Sequence, residues 1–236
     1  MTTIRTAAPG VTVTPMTAPE PDTLPGAGLR LTQWLSPAFP TGGFAWSHGL
    51  EQAVADGAVS DAESLADWAE AVLRHGAGQS DTILLAAAHR APDTAALADL
   101  ADLALALAPS ADRRAETLEQ GAAFARTLRE VWTLEIPDMA LPVAVGRATA
   151  LTGEPLAPAA RLYLQTMLTT LLQAAQRLMP LGQTGAQRLL ARLTALVPGH
   201  VAATLPLTPD DIALFTPALD AAAMRAETLE PRIFRS

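Results

Sequence analysis

The sequence predicts an all-α fold, a single compact multi-helix domain of roughly nine or ten helices. Three observations carry that reading. Half of the 236 residues are apolar, with Ala and Leu dominant and aromatics at only 4%; Ala and Leu are strong helix formers. Apart from Thr, the β-branched residues that favour strands are few. Apolar residues also recur at helical spacing in one segment after another, with Pro and Gly between them. The chain is long enough to bury a substantial core.

Residues 1–28 are rich in Thr, Pro, Ala and Gly and show no periodicity, so they read as a flexible, disordered tail. Residues 29–236 read as the folded domain. It opens with LRLTQWLSPAFPTGGFAWSHGLEQAVADG, Leu29 to Gly57. After the breaks at Ser36-Pro37 and Pro40-Thr41-Gly42-Gly43, a helical period places Trp46, Leu50, Ala53 and Val54 on one side. Phe44, Ser47, His48 and Glu51 fall on the other. An aromatic among polar groups is the pattern of a partner surface; alternatively Phe44 belongs to the loop and tucks inward.

Ser60-Asp61-Ala62-Glu63 supplies a helix start with an acidic first turn. Leu65, Trp68, Ala69, Val72 and Leu73 follow at helical spacing up to His75-Gly76. Gln79–Arg90 and Thr94–Ala108 are further helical segments, separated by Pro92 and closed by Pro109. Ser110–Glu135 is longer, with Leu118, Gly121, Ala122, Ala125, Leu128 and Trp132 on one stripe. Its Arg113, Glu116, Gln120 and Arg126 lie off that stripe, where charged groups are ordinarily solvated. Leu141-Pro142 opens another helix, because Pro is tolerated in a first turn. Residues 156–179 are apolar on most sides, so this helix is central to the fold. Its Gln165, Gln173 and Gln176 would need partners if buried. A helix to Leu196 follows, then a loop from Pro198 to Pro209, a short turn over Asp210–Phe215, and a final helix from Pro217 to Glu230.

The net charge is −8 and all sixteen basic residues are Arg. An acidic chain without a basic run excludes phosphate-driven nucleic-acid binding. The absence of cysteine excludes disulfides and thiolate metal sites. No apolar run reaches the roughly 18 to 20 residues that span a bilayer. The N-terminus has no signal-peptide core, so the cytoplasm is the expected compartment.

Catalytic patterns are missing. His48, His75, His89 and His200 form no i, i+3 or i, i+4 pair, and no H-E-x-x-H accompanies them. Ser47 stands in no nucleophile elbow. Gly182-Gln183-Thr184-Gly185 has no Gly-Lys-Ser/Thr ending and is no phosphate loop; tight turns between helices account for its glycines. The reading is therefore of a protein that is not an enzyme and binds no catalytic metal or cofactor.

SPAFPTGGFAWSHGLEQAV, Ser36 to Val54, resembles the N-terminal signature of the UreF family of urease accessory proteins. RAETLEQGAAFARTL, from Arg114 to Leu128, resembles that family's second signature. Leu141-Pro142-Val143-Ala144-Val145-Gly146 and the PLGQTGAQRLL stretch from Pro180 resemble the next two. Met224-Arg225-Ala226-Glu227-Thr228, followed by Arg232-Ile233-Phe234-Arg235-Ser236, resembles the closing pattern. Together the stretches run in order from Leu31 to Ser236. One departure stands out: Ala226 occupies a position where family members commonly have His, so no role of that imidazole carries over.

The resemblance implies a helical assembly chaperone rather than an enzyme. It implies a complex with UreD (also called UreH), recruitment of the GTPase UreG, and support of GTP-dependent nickel insertion into the urease apoprotein. Nickel and GTP would be handled by those partners, and the family resembles homodimers. The implied contact positions are Ser47, His48 and Glu51, with Arg225, Glu227, Arg232, Phe234 and Arg235 at the C-terminus. Ile233 and Phe234 could anchor in a partner groove while the arginines pair with carboxylates; a frayed terminus is the alternative. A helical ligand-binding or regulatory protein without catalytic activity shares this composition, but would need a DNA-reading domain. A helical enzyme would need carboxylates or histidines brought together by the fold.

Overall fold

A computed structural model describes residues 28–236; apart from Gly28, the tail expected over 1–28 lies outside the described residues. The described chain contains α1 (Leu29–Trp34), α2 (Leu50–Ala55), α3 (Ala62–His75), α4 (Ala77–Arg90), α5 (Thr94–Ala106) and α6 (Ala111–Trp132). These are followed by α7 (Leu141–Thr152), α8 (Leu156–Leu178), α9 (Gln183–Thr194), α10 (Val197–Thr204) and α11 (Pro217–Ala226), with 3-10 turns at Gly43–Ala45 and Pro209–Asp211. No strand occurs among the described residues. The all-α expectation holds, and α1 and α2, at six residues each, are the only α-helices here shorter than eight.

Local signals explain most of the boundaries. Asp61 caps α3 by accepting from the Ser64 N–H, and Ser64 Oγ returns a contact to the cap. Ser110 caps α6 through the Arg113 N–H at 3.1 Å. Thr133, at φ 56, ends α6 in the left-handed region.

α8 is the axis of the domain, and α1, α2, α3, α4, α7, α9 and α10 all pack on it. Leu164, Leu168, Leu171, Leu172 and Ala175 are buried there, as their spacing predicts. Of its amides, Gln165 Oε1 accepts from Thr194 Oγ1 at 2.6 Å, and Gln173 avoids the problem by facing solvent. α4 and α7 form the most extensive helix pair. Gly146 permits it: a Cβ at that position would lie 2.2 Å from the Leu85 carbonyl oxygen.

Between α1 and α6, Trp34 meets Phe124 at 6.1 Å and Trp132 at 5.7 Å, both nearly perpendicular, and Phe39 lies 5.4 Å from Phe124. Edge-to-face pairs of this kind add about 0.5–1.5 kcal/mol beyond their burial.

Four expectations change. The segment expected to be helical from Phe44 instead runs as a 3-10 turn, an extended Trp46 and left-handed His48 and Gly49 before α2 begins. The α6 stripe is centred on Phe124, which is 1% exposed, while Leu118 reaches solvent. Residues 198–204 belong to α10 rather than a loop, because Pro198 sits in a first turn that has no need of its N–H. The two glycines of Gly182–Gly185 are not turn glycines: Gly182 has φ −68 as the cap of α9, and Gly185 lies inside that helix.

Two substitutions test the packing. Gly146→Ala forces a side chain into the Leu85 backbone and should cost about 1–3 kcal/mol. Phe124→Ala should cost about 3–5 kcal/mol. Guanidinium unfolding followed by circular dichroism should show both as lowered midpoints, with Phe124→Ala the larger loss.

Candidate partner-docking site

The last five residues lie in a groove between α2 and α6. The groove starts from a local backbone constraint. Gly49 (φ 76) turns the chain into α2 so closely against α11 that a Cβ there would stand 3.0 Å from the Ala223 nitrogen. That turn points Ser47 and Glu51 inward, and they are 1% and 7% exposed.

Glu51 is the central anchor. Its Oε1 accepts from the Ile233 N–H at 2.6 Å and its Oε2 from the Phe234 N–H at 2.9 Å. One carboxylate thus takes both consecutive amide donors. Arg235 N–H donates to the Ala45 carbonyl at 2.9 Å. Ser236 Oγ accepts from the N–H groups of Ser47 (3.2 Å) and His48 (3.1 Å) and donates to Glu116 Oε2 (3.2 Å). Ser47 Oγ donates to the Ser236 carbonyl.

Side chains reinforce the seat. Phe234 is 3% exposed, with the Arg177 guanidinium 4.2 Å from its ring centroid; Arg177 also donates to the Phe44 carbonyl at 3.1 Å. Arg235 lies 4.3 Å over Trp46 and makes a two-pronged pair with Glu119 at 2.5 and 2.8 Å. That bond holds the Glu119 carboxyl below its usual range. Arg232 pairs with Asp112 at 2.8 Å, and Arg225 with Asp56 at 2.5 Å, which lowers the Asp56 carboxyl. Glu227 accepts from the Ala111 N–H at 2.7 Å, placing a carboxylate at the positive end of α6.

Magnitudes rank these contacts. Exposed ion pairs contribute about 0–1 kcal/mol each. Hydrogen bonds to a charged acceptor contribute about 1.5–3 kcal/mol, and burying a phenylalanine about 1.5–3 kcal/mol. Glu51 and Phe234 therefore dominate the seat, and the arginines set its register.

Beneath the groove lies a polar interior. The Asp81 carboxylate accepts from Tyr163 Oη at 2.6 Å, and Arg113 pairs with Glu116 beside it. Burial pushes the Asp81 carboxyl up to about 6, and it holds the Tyr163 phenol well above its ordinary value. Burial, with Arg113 adding repulsion, keeps His48 well below the usual imidazole range. Among the described residues, no group of three or more His, Asp or Glu is placed to hold a metal ion, and no helix is long and apolar enough to cross a membrane.

All eight residues singled out in the sequence thus converge on this one side of the molecule. Their local roles are not those of a freely exposed face, since Ser47, Glu51 and Phe234 are buried within the chain's own structure. Phe44 neither tucks inward nor starts a helix; it stands 75% exposed. Glu116 is no solvated charge but a buried contact of the tail. Sequence reasoning missed Glu119, Asp112, Trp46 and Arg177 as tail contacts. Only Trp46 carried any signal, as an aromatic beside the Gly-rich break.

A family model described as UreF matches residues 59–194. The urease accessory protein UreF of Cereibacter sphaeroides (strain ATCC 17029 / ATH 2.4.9) is 51% identical over 210 residues, 88% of this chain and 98% of the relative. Proteins of the same name in Paracoccus denitrificans (strain Pd 1222) and Roseobacter denitrificans (strain ATCC 33942 / OCh 114) are 48% and 44% identical. They are covered over 96% and 94% of their lengths, against 89% of this chain in both cases. The chain belongs to the UreF family.

Four of the five stretches that suggested the family from sequence fall into two structural groups. Ser36–Val54, Arg114–Leu128 and the closing pattern build the groove and the tail within it. Leu141–Gly146 instead serves the α4–α7 contact. In this chain, Ala226 is buried at 2% exposure on the inner side of α11.

Glu51→Ala removes the acceptor of two tail amides. Trypsin should then cut after Arg232 at least tenfold faster, while the circular dichroism of the helical body is retained. Glu51→Gln, which keeps one acceptor oxygen, should fall between the two.

Proposed function

We propose that this UreF-family chain acts in urease maturation as an assembly chaperone without catalytic activity of its own. In this reading it bridges UreD/UreH and the GTPase UreG and supports GTP-dependent insertion of nickel into the urease apoprotein. It works in the cytoplasm as a homodimer. Nickel and GTP are cargo and fuel of the partners.

One observation carries the docking part of the reading. The C-terminal Arg-Ile-Phe-Arg-Ser segment is seated on α2 and α6 so that Ile233 (60% exposed) and Phe44 (75% exposed) face outward beside it. Large apolar side chains rimmed by Arg and Glu are the usual anchors of a protein interface. The buried half of the segment positions the exposed half. The chain's relatives, named urease accessory protein UreF over nearly their whole lengths, support the maturation role. Its lack of any Lys, and hence of a Walker lysine, is consistent with nucleotide chemistry residing in the partner.

The decisive experiment mixes the protein with UreD and UreG from the same source, with and without GTP and nickel, and measures mass by size exclusion with light scattering. A stable higher-mass complex is expected; elution of this chain alone under every condition would overturn the reading. Deleting 225–236 should abolish association with UreD, but it also uncovers Ser47, Glu51 and Glu116. Phe44→Asp and Ile233→Asp avoid that ambiguity. Each should weaken association at least tenfold with an unchanged thermal midpoint.

A further inference from the structure

A cavity of about 450 Å³ lies among α4, the α5–α6 junction, α11 and the turn that carries His48. Small-molecule sites ordinarily span about 300–1,000 Å³ and join apolar walls to a few convergent polar groups. Leu84, Leu107, Leu214 and Leu219 form the apolar wall here. Asp81, Arg113, Thr117, Thr216 and Asp220 form the polar one, together with His48. The open end is at α11, where Met224 lines the cavity and is 54% exposed.

The polar groups are unevenly satisfied. Tyr163 Oη donates to Asp81 Oδ2 at 2.6 Å, and the Ser80 hydroxyl adds a weak contact. Among the described residues no arginine forms an ion pair with Asp81; Arg113, the guanidinium on this wall, is paired with Glu116. Asp81 is enclosed by the helices around it yet keeps part of its surface uncovered. A carboxylate enclosed without a cation is costly. Asp220 bonds to Thr216 Oγ1 at 3.0 Å and likewise has no cation. The hydrogen bond that His48 makes runs from its backbone N–H to Ser236, which leaves its ring to the cavity. Burial keeps that ring neutral, with one donor and one acceptor to offer.

We propose that this cavity is a binding site for a small organic cation, a primary ammonium on an apolar body, with the ammonium on Asp81 and the body against the leucines. Charge decides between ligand classes. Two carboxylates line the cavity against one guanidinium that is already paired. An ammonium supplies Asp81 with the charge partner that the chain does not, and bonds between ionised groups are the stronger kind. An anion would have the amino end of α4 to use, since Gly76 and Ala77 border the cavity. It would also have to approach Asp81 and Asp220, and like charges in an enclosed site repel. A neutral apolar ligand would fill the leucine wall and leave the carboxylates as they are.

Benzylamine, which is cationic at neutral pH, is the probe, with benzyl alcohol and benzoate as its neutral and anionic counterparts. Nitrogen-15 NMR titration of the full chain should show saturable shifts at the Asp81, Thr216 and Asp220 amides, with a dissociation constant of about 1 mM or tighter. Benzyl alcohol and benzoate should bind at least tenfold more weakly. Asp81→Asn keeps the shape of the side chain and removes its charge, and should weaken benzylamine at least tenfold. A second variant leaves the interior untouched: Met224→Arg places a cation at the exposed mouth and should weaken benzylamine at least threefold. Shifts confined to surface carboxylates, or none that saturate by about 10 mM, would overturn the proposal. So would equal or tighter binding of either counterpart, or an unchanged affinity in either variant.

Discussion

Burial of α8 is the constraint on which the rest of the structure depends. A helix of 23 residues that is apolar on most faces has to be enclosed, and seven other α-helices do so. Each fully buried leucine along it is worth about 1.5–3 kcal/mol. The same helix also reaches the groove that seats the C-terminal segment. Tyr163 meets Asp81, Thr166 bonds the Leu35 carbonyl, and Arg177 covers Phe234. Core and groove are therefore one mechanical unit, and the position of the tail is set by a helix whose place the core already determines.

The groove works by converting charge into backbone recognition. Glu51 does not pair with an arginine; it takes two amide donors of an extended segment that has no sheet or helix to satisfy them. Unsatisfied buried amides are costly, so this carboxylate decides whether the segment lies down. The arginines around it are exposed and individually weak. Their contribution is geometric, because two-pronged pairing with Glu119 and stacking on Trp46 select one register. Strong buried anchors with a weak charged rim hold the segment in one ordered position.

A buried carboxylate shifted upward by poor solvation, as at Asp81, lowers the stability of the state that buries it whenever it is ionised. Its position between two cavities gives that cost a location.

The helical class, the central helix and most helix boundaries were legible in the sequence. Period and capping chemistry act locally: Asp61, Ser110 and the apolar repeat from Leu164 to Ala175 carry their meaning in a few neighbouring residues. The family was legible for a related reason, since its signatures are short and contiguous. The groove was legible only as a set of suspects. Ser47, Glu51 and Phe234 read as an open polar face and a free anchor, because nothing local shows that residues some 180 positions apart bond to each other. The left-handed turn at His48 and Gly49 decided which way Ser47 and Glu51 face, and its reason, the close approach of Ala223, is wholly tertiary. The burial of Asp81 and Glu116 is of the same kind: propensity and pattern describe a residue's own helix, whereas solvation is a property of everything packed around it.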